Sequence, residues 1–209
     1  MLELIDVSLE RSYGLGGPFI RQPSRMVLSG LNWRSPDTGL VVIQGVAGAG
    51  KTSLLLMLAG VLRPSAGELL IDGQPTRRLG RRKRRRLFDD HLYLGQDPTA
   101  WQLEERVEEF SAVVRERAAE LDGSPLAGGT TIASLSRRRR LALALGARLA
   151  LDPRGLFLDD PLAGLGQGET DNLAVVIQKA AADRLVVAAM ARRGSLFDAA
   201  SEILELDRP

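Results

Sequence analysis

Leu40-Val41-Val42-Ile43-Gln44-Gly45-Val46-Ala47-Gly48-Ala49-Gly50-Lys51-Thr52-Ser53-Leu54-Leu55 decides the fold of this chain. Leu40 to Ile43 is a continuous apolar run, the pattern of a buried parallel strand covered on both faces. It passes through Gln44 into a glycine, four further residues and then Gly-Lys-Thr. From Lys51 to Leu62 the leucine-rich segment predicts a helix, stopped near Pro64. Strand, glycine-rich turn and helix therefore follow one another directly. Glycines let such a turn curl until its N–H groups face inward, at a helix start that already favours anions.

That spacing is the P-loop motif, which cradles nucleotide phosphates. Lys51 is expected to reach the β- and γ-phosphates of ATP, and the Thr52 hydroxyl to hold Mg²⁺. A second acidic element supports it: Gly155-Leu156-Phe157-Leu158-Asp159-Asp160-Pro161. An acid at the C-terminal end of a buried strand faces the crevice where open sheets bind ligands, so Asp159 is placed on the metal side.

Outward from the loop, the chain alternates strands and helices, an α/β pattern. Leu2–Leu9 alternates as an edge strand, and short strands are predicted near Met26–Leu28 and Leu31–Arg34. Further strands are expected over Glu68–Asp72, Leu92–Leu94, Leu156–Leu158, Leu185–Ala188 and Glu202–Leu206. Trp101–Leu121 is amphipathic, with Leu103, Val107, Phe110, Val114, Ala118 and Leu121 at helical spacing. The glycine-rich segment Gly123–Thr131 leads to Ser136, a candidate cap for a helix over Arg137–Leu151. One more helix is predicted over Thr170–Ala182.

The chain has 209 residues, no cysteine and one histidine, His91. Disulfides and thiolate metal sites are excluded, and a lone histidine makes no metal site; His91 reads as a partly buried ring at a strand start. No apolar stretch is long enough to span a bilayer and the start lacks a secretory signal, so a soluble, cytoplasmic chain is expected. The net charge is only +2, yet basic residues bunch at Arg77–Arg86 and at Arg137–Arg140. With 25 arginines and 3 lysines, arginine dominates throughout, and the first cluster reads as a solvated surface more than as a phosphate, lipid or nucleic-acid contact.

With both phosphate-side elements quoted, the sequence resembles the nucleotide-binding subunits of ABC transporters. Thr52-Ser53-Leu54 through Ile71-Asp72-Gly73 follows the family closely, and the resemblance runs from about Leu2 to Leu206. It implies an α/β P-loop NTPase fold of ABC type: a mixed central sheet with flanking helices, an N-terminal antiparallel β part and a small helical lobe. One such domain over 1–209 is expected, with the lobe inserted at about 97–152. The implied nucleotide-binding set is Tyr13, stacked on adenine, with Gly45, Gly48, Ala49, Gly50, Lys51, Thr52, Ser53 and Ser136. The implied metal set is Thr52, Gln96 and Asp159, and the catalytic candidates are Asp160 and Gln96, the last also linking the site to a membrane partner.

Four positions depart from the family. Where it has Leu-Ser-Gly-Gly-Gln, this chain has Leu135-Ser136-Arg137-Arg138-Arg139, replacing glycines that permit close backbone approach by bulky cations. Four arginines in a first helical turn also oppose the helix dipole, at a cost of roughly 0.3–1 kcal/mol each if exposed, unless an anionic neighbour compensates. The glutamate after the Walker B aspartate is Asp160, one methylene shorter, where a general base needs reach of about 2.6–3.2 Å. Gly166 lacks the D-loop carboxylate, and the switch histidine falls near Met190, whose thioether cannot replace imidazole.

The resemblance thus implies a subunit that binds ATP and Mg²⁺ but hydrolyses weakly or only with a partner. The implied partners are a separate transmembrane permease and a second ATP-binding subunit in a head-to-tail dimer, identical or different, on the inner face of the cell membrane. Two alternatives are a non-transport ABC ATPase acting on nucleic acid and a non-enzymatic interaction subunit shaped by nucleotide; nucleic acid is the less expected partner.

Overall fold

A computed structural model of the chain describes residues 1–12, 24–97 and 106–208. Tyr13, the glycine- and proline-rich stretch that follows it, and Trp101 lie outside the described residues.

Five strands build a parallel sheet in the order β6-β7-β8-β3-β9: β3 (Gly39–Gly45), β6 (His91–Leu94), β7 (Gly155–Asp159), β8 (Leu185–Ala189) and β9 (Glu202–Leu206). Four antiparallel strands form a second sheet, in the order β2-β1-β4-β5: β1 (Leu2–Ser12), β2 (Ser24–Arg34), β4 (Ala66–Ile71) and β5 (Gln74–Pro75). The mixture of strand directions implied by the resemblance is thus divided between two sheets. The helices are α1 (Lys51–Leu58), α2 (Arg81–Phe88), α3 (Ala112–Asp122), α4 (Arg137–Leu149), α5 (Gln167–Ala180) and α6 (Ser195–Asp198).

Alternation along β3 assigns the layers. Val41 and Ile43 join Leu54, Leu55 and Leu58 of α1 and Leu4, Val7 and Leu69 of the antiparallel sheet in one core. Leu40 and Val42 face the other way, onto Leu141 and Leu145 of α4, Leu173 and Ile177 of α5 and Phe197 of α6. A strand covered on both faces must be apolar at every position, which is why Leu40–Ile43 reads as an unbroken run. A third, smaller core of Val107, Ala118, Ile132, Leu135 and Leu143 joins α3 to α4. Helix α4 therefore belongs to two cores, with Leu143 in the small one and Leu141 and Leu145 in the large one.

Several elements differ from the sequence expectation. β1 is interior rather than an edge strand, its backbone pairing with both β2 and β4, while Leu2, Leu4, Val7 and Leu9 point into the core. The two short strands expected before Ser35 are one, β2, whose pairing shifts register near Gly30 at φ 60°. Helix α1 ends at Leu58 rather than Leu62, since Gly60 takes φ 76° and a side chain there would overlap the Phe88 ring. Within the described part of the amphipathic stretch, from 106 onward, the α-helix begins at Ala112. Before it, Arg106 bridges to Thr131 and Val107–Glu109 makes a 3₁₀ turn, while the Ser111 hydroxyl accepts from the Val114 N–H at 3.3 Å and sets the helix start. Helix α2, in the arginine run, was not anticipated, because its sequence has almost no apolar periodicity.

Candidate nucleotide site

The loop between β3 and α1 has the backbone its glycines predict. Gly48 and Gly50 take φ 82° and 94°, a region that L side chains enter only at a cost. Gly50 is also pressed against β2: a Cβ there would lie 2.8 Å from the Val27 carbonyl oxygen. At Gly45 a Cβ would lie 2.6 Å from the Leu206 carbonyl oxygen, so β9 sets the strand end beside the loop. Ala49 and Ser53 are buried beneath it. The Lys51 ammonium curls into the loop, donating to the Gly45 carbonyl at 2.6 Å and the Val46 carbonyl at 3.1 Å. Thr52 is exposed at the mouth of the loop, and among the described residues no side chain caps α1. A positive helix end, a curled glycine backbone and an ammonium at its centre suit a phosphate chain.

Parallel strand order brings the acidic pair to the same edge. Ile43, Ala189 and Asp159 are level across β3, β8 and β7, so Asp159 stands two strand spacings, about 10 Å, from the end of β3. Its carboxylate is buried, with Oδ2 3.1 Å from the donating Tyr93 hydroxyl. Burial and the nearby Asp159 charge push the Tyr93 phenol well above its ordinary value. Among the described residues no three acidic or imidazole groups converge on one metal position. One buried carboxylate and one exposed Thr52 hydroxyl, at the same edge of the sheet, suit Mg²⁺, which keeps its waters and takes phosphate oxygens instead of a full protein cage.

Asp160 occupies a left-handed φ of 45°, with its N–H donating to the Ala189 carbonyl at 2.9 Å. Its carboxyl is pushed up by burial and by Asp159, and held back by the Ala191 N–H and the charges of Lys51 and Arg137. The charges of Asp159, Lys51 and Arg137 thus all act on Asp160. Asp160 lines a cavity of about 680 Å³ with Gly164, Thr170 and Arg192. Met190, at the expected switch position, is buried in the apolar core behind the sheet edge, its N–H donating to Ile43.

Gln96 is exposed at the end of β6, with its main-chain carbonyl accepting from Arg137 at 2.9 Å. Ser136 is not drawn to the loop: its hydroxyl accepts from the Arg139 N–H at 3.3 Å and caps α4, as its sequence position predicts. The arginines after it do not point freely into solvent. Arg138 and Arg139 both pair with Asp122, at 2.8 and 3.1 Å, whose side chain is fully buried. Arg138 also approaches Glu169 of α5 at 3.6 Å. The compensating anion for the helix dipole is therefore Asp122, at the end of α3.

Sequence reasoning missed Tyr93, Asp122 and Arg208. Arg208 donates to the Ala47 carbonyl of the loop at 2.7 Å, a contact that follows from β9 lying beside β3. Asp122 was readable only as the last polar residue of an amphipathic helix.

Loop, strand order and acidic pair define a P-loop nucleotide-binding protein. The ABC transporter family model matches residues 28–163, and the chain belongs to that family. It is 31% identical over 172 residues to a putative ABC transporter ATP-binding protein of Archaeoglobus fulgidus, covering 73% of this chain and 57% of that one. It is 34% identical over 149 residues to the taurine import ATP-binding protein TauB of Sinorhizobium fredii, covering 68% and 55%. The chain thus spans little more than half the length of these curated relatives. Among solved structures, cbiO1 of Clostridium perfringens, part of the cbiONQ transporter complex, superposes with a TM-score of 0.74 at 21% identity, over 99% of this chain and 84% of that one. The ATP-binding cassette MJ0796, dimeric and bound to ADP and Pi, gives 0.70 at 17% identity over 100% and 97%. At these identities the likeness concerns the fold.

Proposed function

We propose that the chain is the ATP-binding subunit of an ABC transporter, one ABC-type domain whose residues 97–152 form the helical lobe. It would couple ATP binding, and weak or partner-dependent hydrolysis, to a separate membrane permease. The observation that carries this reading is the curled loop 45–52 with Lys51 inside it, on the same sheet edge as Asp159 and Asp160. Gly45, Gly48, Ala49, Gly50, Lys51, Thr52 and Ser53 would hold the phosphates, with Tyr13 on the base. Thr52, Gln96 and Asp159 would hold Mg²⁺, which neutralises phosphate charge when bound. Asp160 is the candidate base for water, supported by its place in the crevice near Lys51 and Arg137.

Pairing with a second ATP-binding subunit, head to tail, and with a permease on the cytoplasmic face of a membrane is supported by the named assemblies of the relatives. No described helix is long and apolar enough to cross a membrane, so the spanning part is assigned to the permease. Because Arg137–Arg139 turn into their own subunit, an identical partner would meet the same altered surface at both sites, whereas a different subunit with the family's glycines could close over ATP held on Lys51.

Titration of a fluorescent ATP analogue with Mg²⁺ tests the reading. The native chain should bind it saturably and Lys51→Ala should bind at least tenfold more weakly; equal affinity in the two would overturn the placement of the phosphates. Phosphate release should be slow alone and rise when a competent second subunit is added.

A further inference from the structure

The run Arg137-Arg138-Arg139 does more than replace glycines. Arg137 Nε donates to the Ala163 carbonyl at 2.6 Å, and its Nη2 donates to the Gln96 carbonyl at 2.9 Å. Gln96 follows β6 and Ala163 lies in the turn after β7, so one guanidinium joins the loops of two neighbouring strands. The side chain lies across Gly164, where a Cβ would come 3.4 Å from Arg137 Cδ. Arg138 carries the same helix turn to α3 through Asp122 and to α5 through Glu169. Arg139 adds a second link to α3, with Ser124 completing the group by donating to Asp122 at 2.8 Å. The first turn of α4 is therefore fastened at four places: two loop carbonyls, the end of α3 and the start of α5.

A planar guanidinium suits this task, because its N–H groups diverge in a fixed fork that meets two carbonyls at once, which a lysine ammonium does not reproduce. Charged hydrogen bonds of this kind are stronger than neutral ones. α4 also packs into both the large and the small core, so the fastening ties the α3–α4 layer to the sheet edge as well as the two loops to each other.

We propose that Arg137 is a positioning residue that holds the main chain of Gln96 against the turn at Ala163 in the unliganded chain. Its bearing on the metal rests on the reading of Gln96 as a Mg²⁺ ligand; its bearing on the loops does not.

Two measurements separate these. Amide hydrogen exchange of the nucleotide-free chain should show residues 95–97 and 163–166 exchanging at least tenfold faster in Arg137→Ala, with β3 unchanged. Arg137→Lys, which keeps the charge near Asp160 but loses the fork, should exchange like the alanine variant, and it carries the same test if Arg137→Ala does not fold. Arg138→Ala, which leaves both carbonyl bonds in place, should keep the two loops protected. Native-like protection in Arg137→Ala, or full protection in Arg137→Lys, would overturn the clamp. Affinity for the fluorescent ATP analogue should then fall about tenfold in Arg137→Ala with Mg²⁺ and stay unchanged with EDTA. An equal fall in both conditions would refute the positioning of Gln96 toward the metal, whereas failure of the native chain to bind nucleotide would count against the transporter reading and leave the exchange result to decide the clamp.

Discussion

Asp160 combines two unfavourable features, a left-handed backbone and a carboxylate held partly out of water. Among non-glycine residues, aspartate and asparagine tolerate that backbone best. The shorter acid is therefore matched to its φ, and Asp160→Glu would meet a backbone cost as well as gain reach. The raised carboxyl also fixes a pH dependence. With the folded value above the unfolded 3.8, the native state holds the proton more tightly. Stability then declines as pH rises from 3.8 through the folded value, and the whole penalty is present above it. Asp160→Asn removes the charge and keeps the tolerant backbone. It should be more stable than the native chain near pH 7, and the difference should vanish below 3.8; urea unfolding of both across that range checks it. His91 acts in the opposite sense. Buried against Phe157 and Phe88, it is shifted below 6.5 mainly by burial, against the pull of Asp90. The unfolded chain then takes up the proton first, so stability should fall as pH drops below 6.5, and His91→Phe should flatten that slope.

At the scale of elements, the arginine run of α2 shows why charge alone does not assign a role. Arg81, Arg82, Lys83, Arg85 and Arg86 are exposed, while Arg84 is buried. Its guanidinium donates to the Gly60 and Leu62 carbonyls in the turn after α1 and lies 4.8 Å from the Phe88 ring centroid. Both carbonyls belong to the turn that follows α1, and Arg84 supplies them with hydrogen-bond partners. Arg84→Ala should therefore destabilise the fold by about 2–3 kcal/mol, and Arg82→Ala by no more than about 0.5 kcal/mol, as read from denaturant midpoints. Every basic side chain of Arg77–Arg86 is exposed in the chain except Arg84, which turns inward. Helix α3 offers a similar lesson: the apolar spacing includes Val107 and Phe110, but the helix begins only after the 3₁₀ turn Val107–Glu109, where Ser111 caps it.

For the molecule as a whole, the loop touches both sheets, since β2 presses on Gly50, while β9 presses on Gly45 and Arg208 just after it donates to the Ala47 carbonyl. Occupation of such a site should stabilise the entire fold by mass action. At a hundredfold excess of ATP over its Kd the gain is about 2.7 kcal/mol, which for a domain of this size raises Tm by about 5–11 °C. A thermal melt with and without Mg–ATP should show this rise in the native chain and little of it in Lys51→Ala. The loop, the acidic pair, the cap at Ser136 and most strands were legible along the chain, because each depends on residues a few positions apart: glycines where φ must be positive, apolar runs where both strand faces are covered, a hydroxyl before a helix. The partners of the arginines were not. Arg137 meets Gln96 across 41 positions and Arg208 meets Ala47 across 161, distances along the chain that close only once the order β6-β7-β8-β3-β9 is set. Composition and spacing alone thus establish a phosphate-binding loop, and the resemblance adds that Arg137–Arg139 stand at the family's signature positions. Whether those arginines faced a neighbouring molecule or their own subunit was decided by packing, because a buried carboxylate at Asp122 and the carbonyls of Gln96 and Ala163 lay within reach of the helix that carries them.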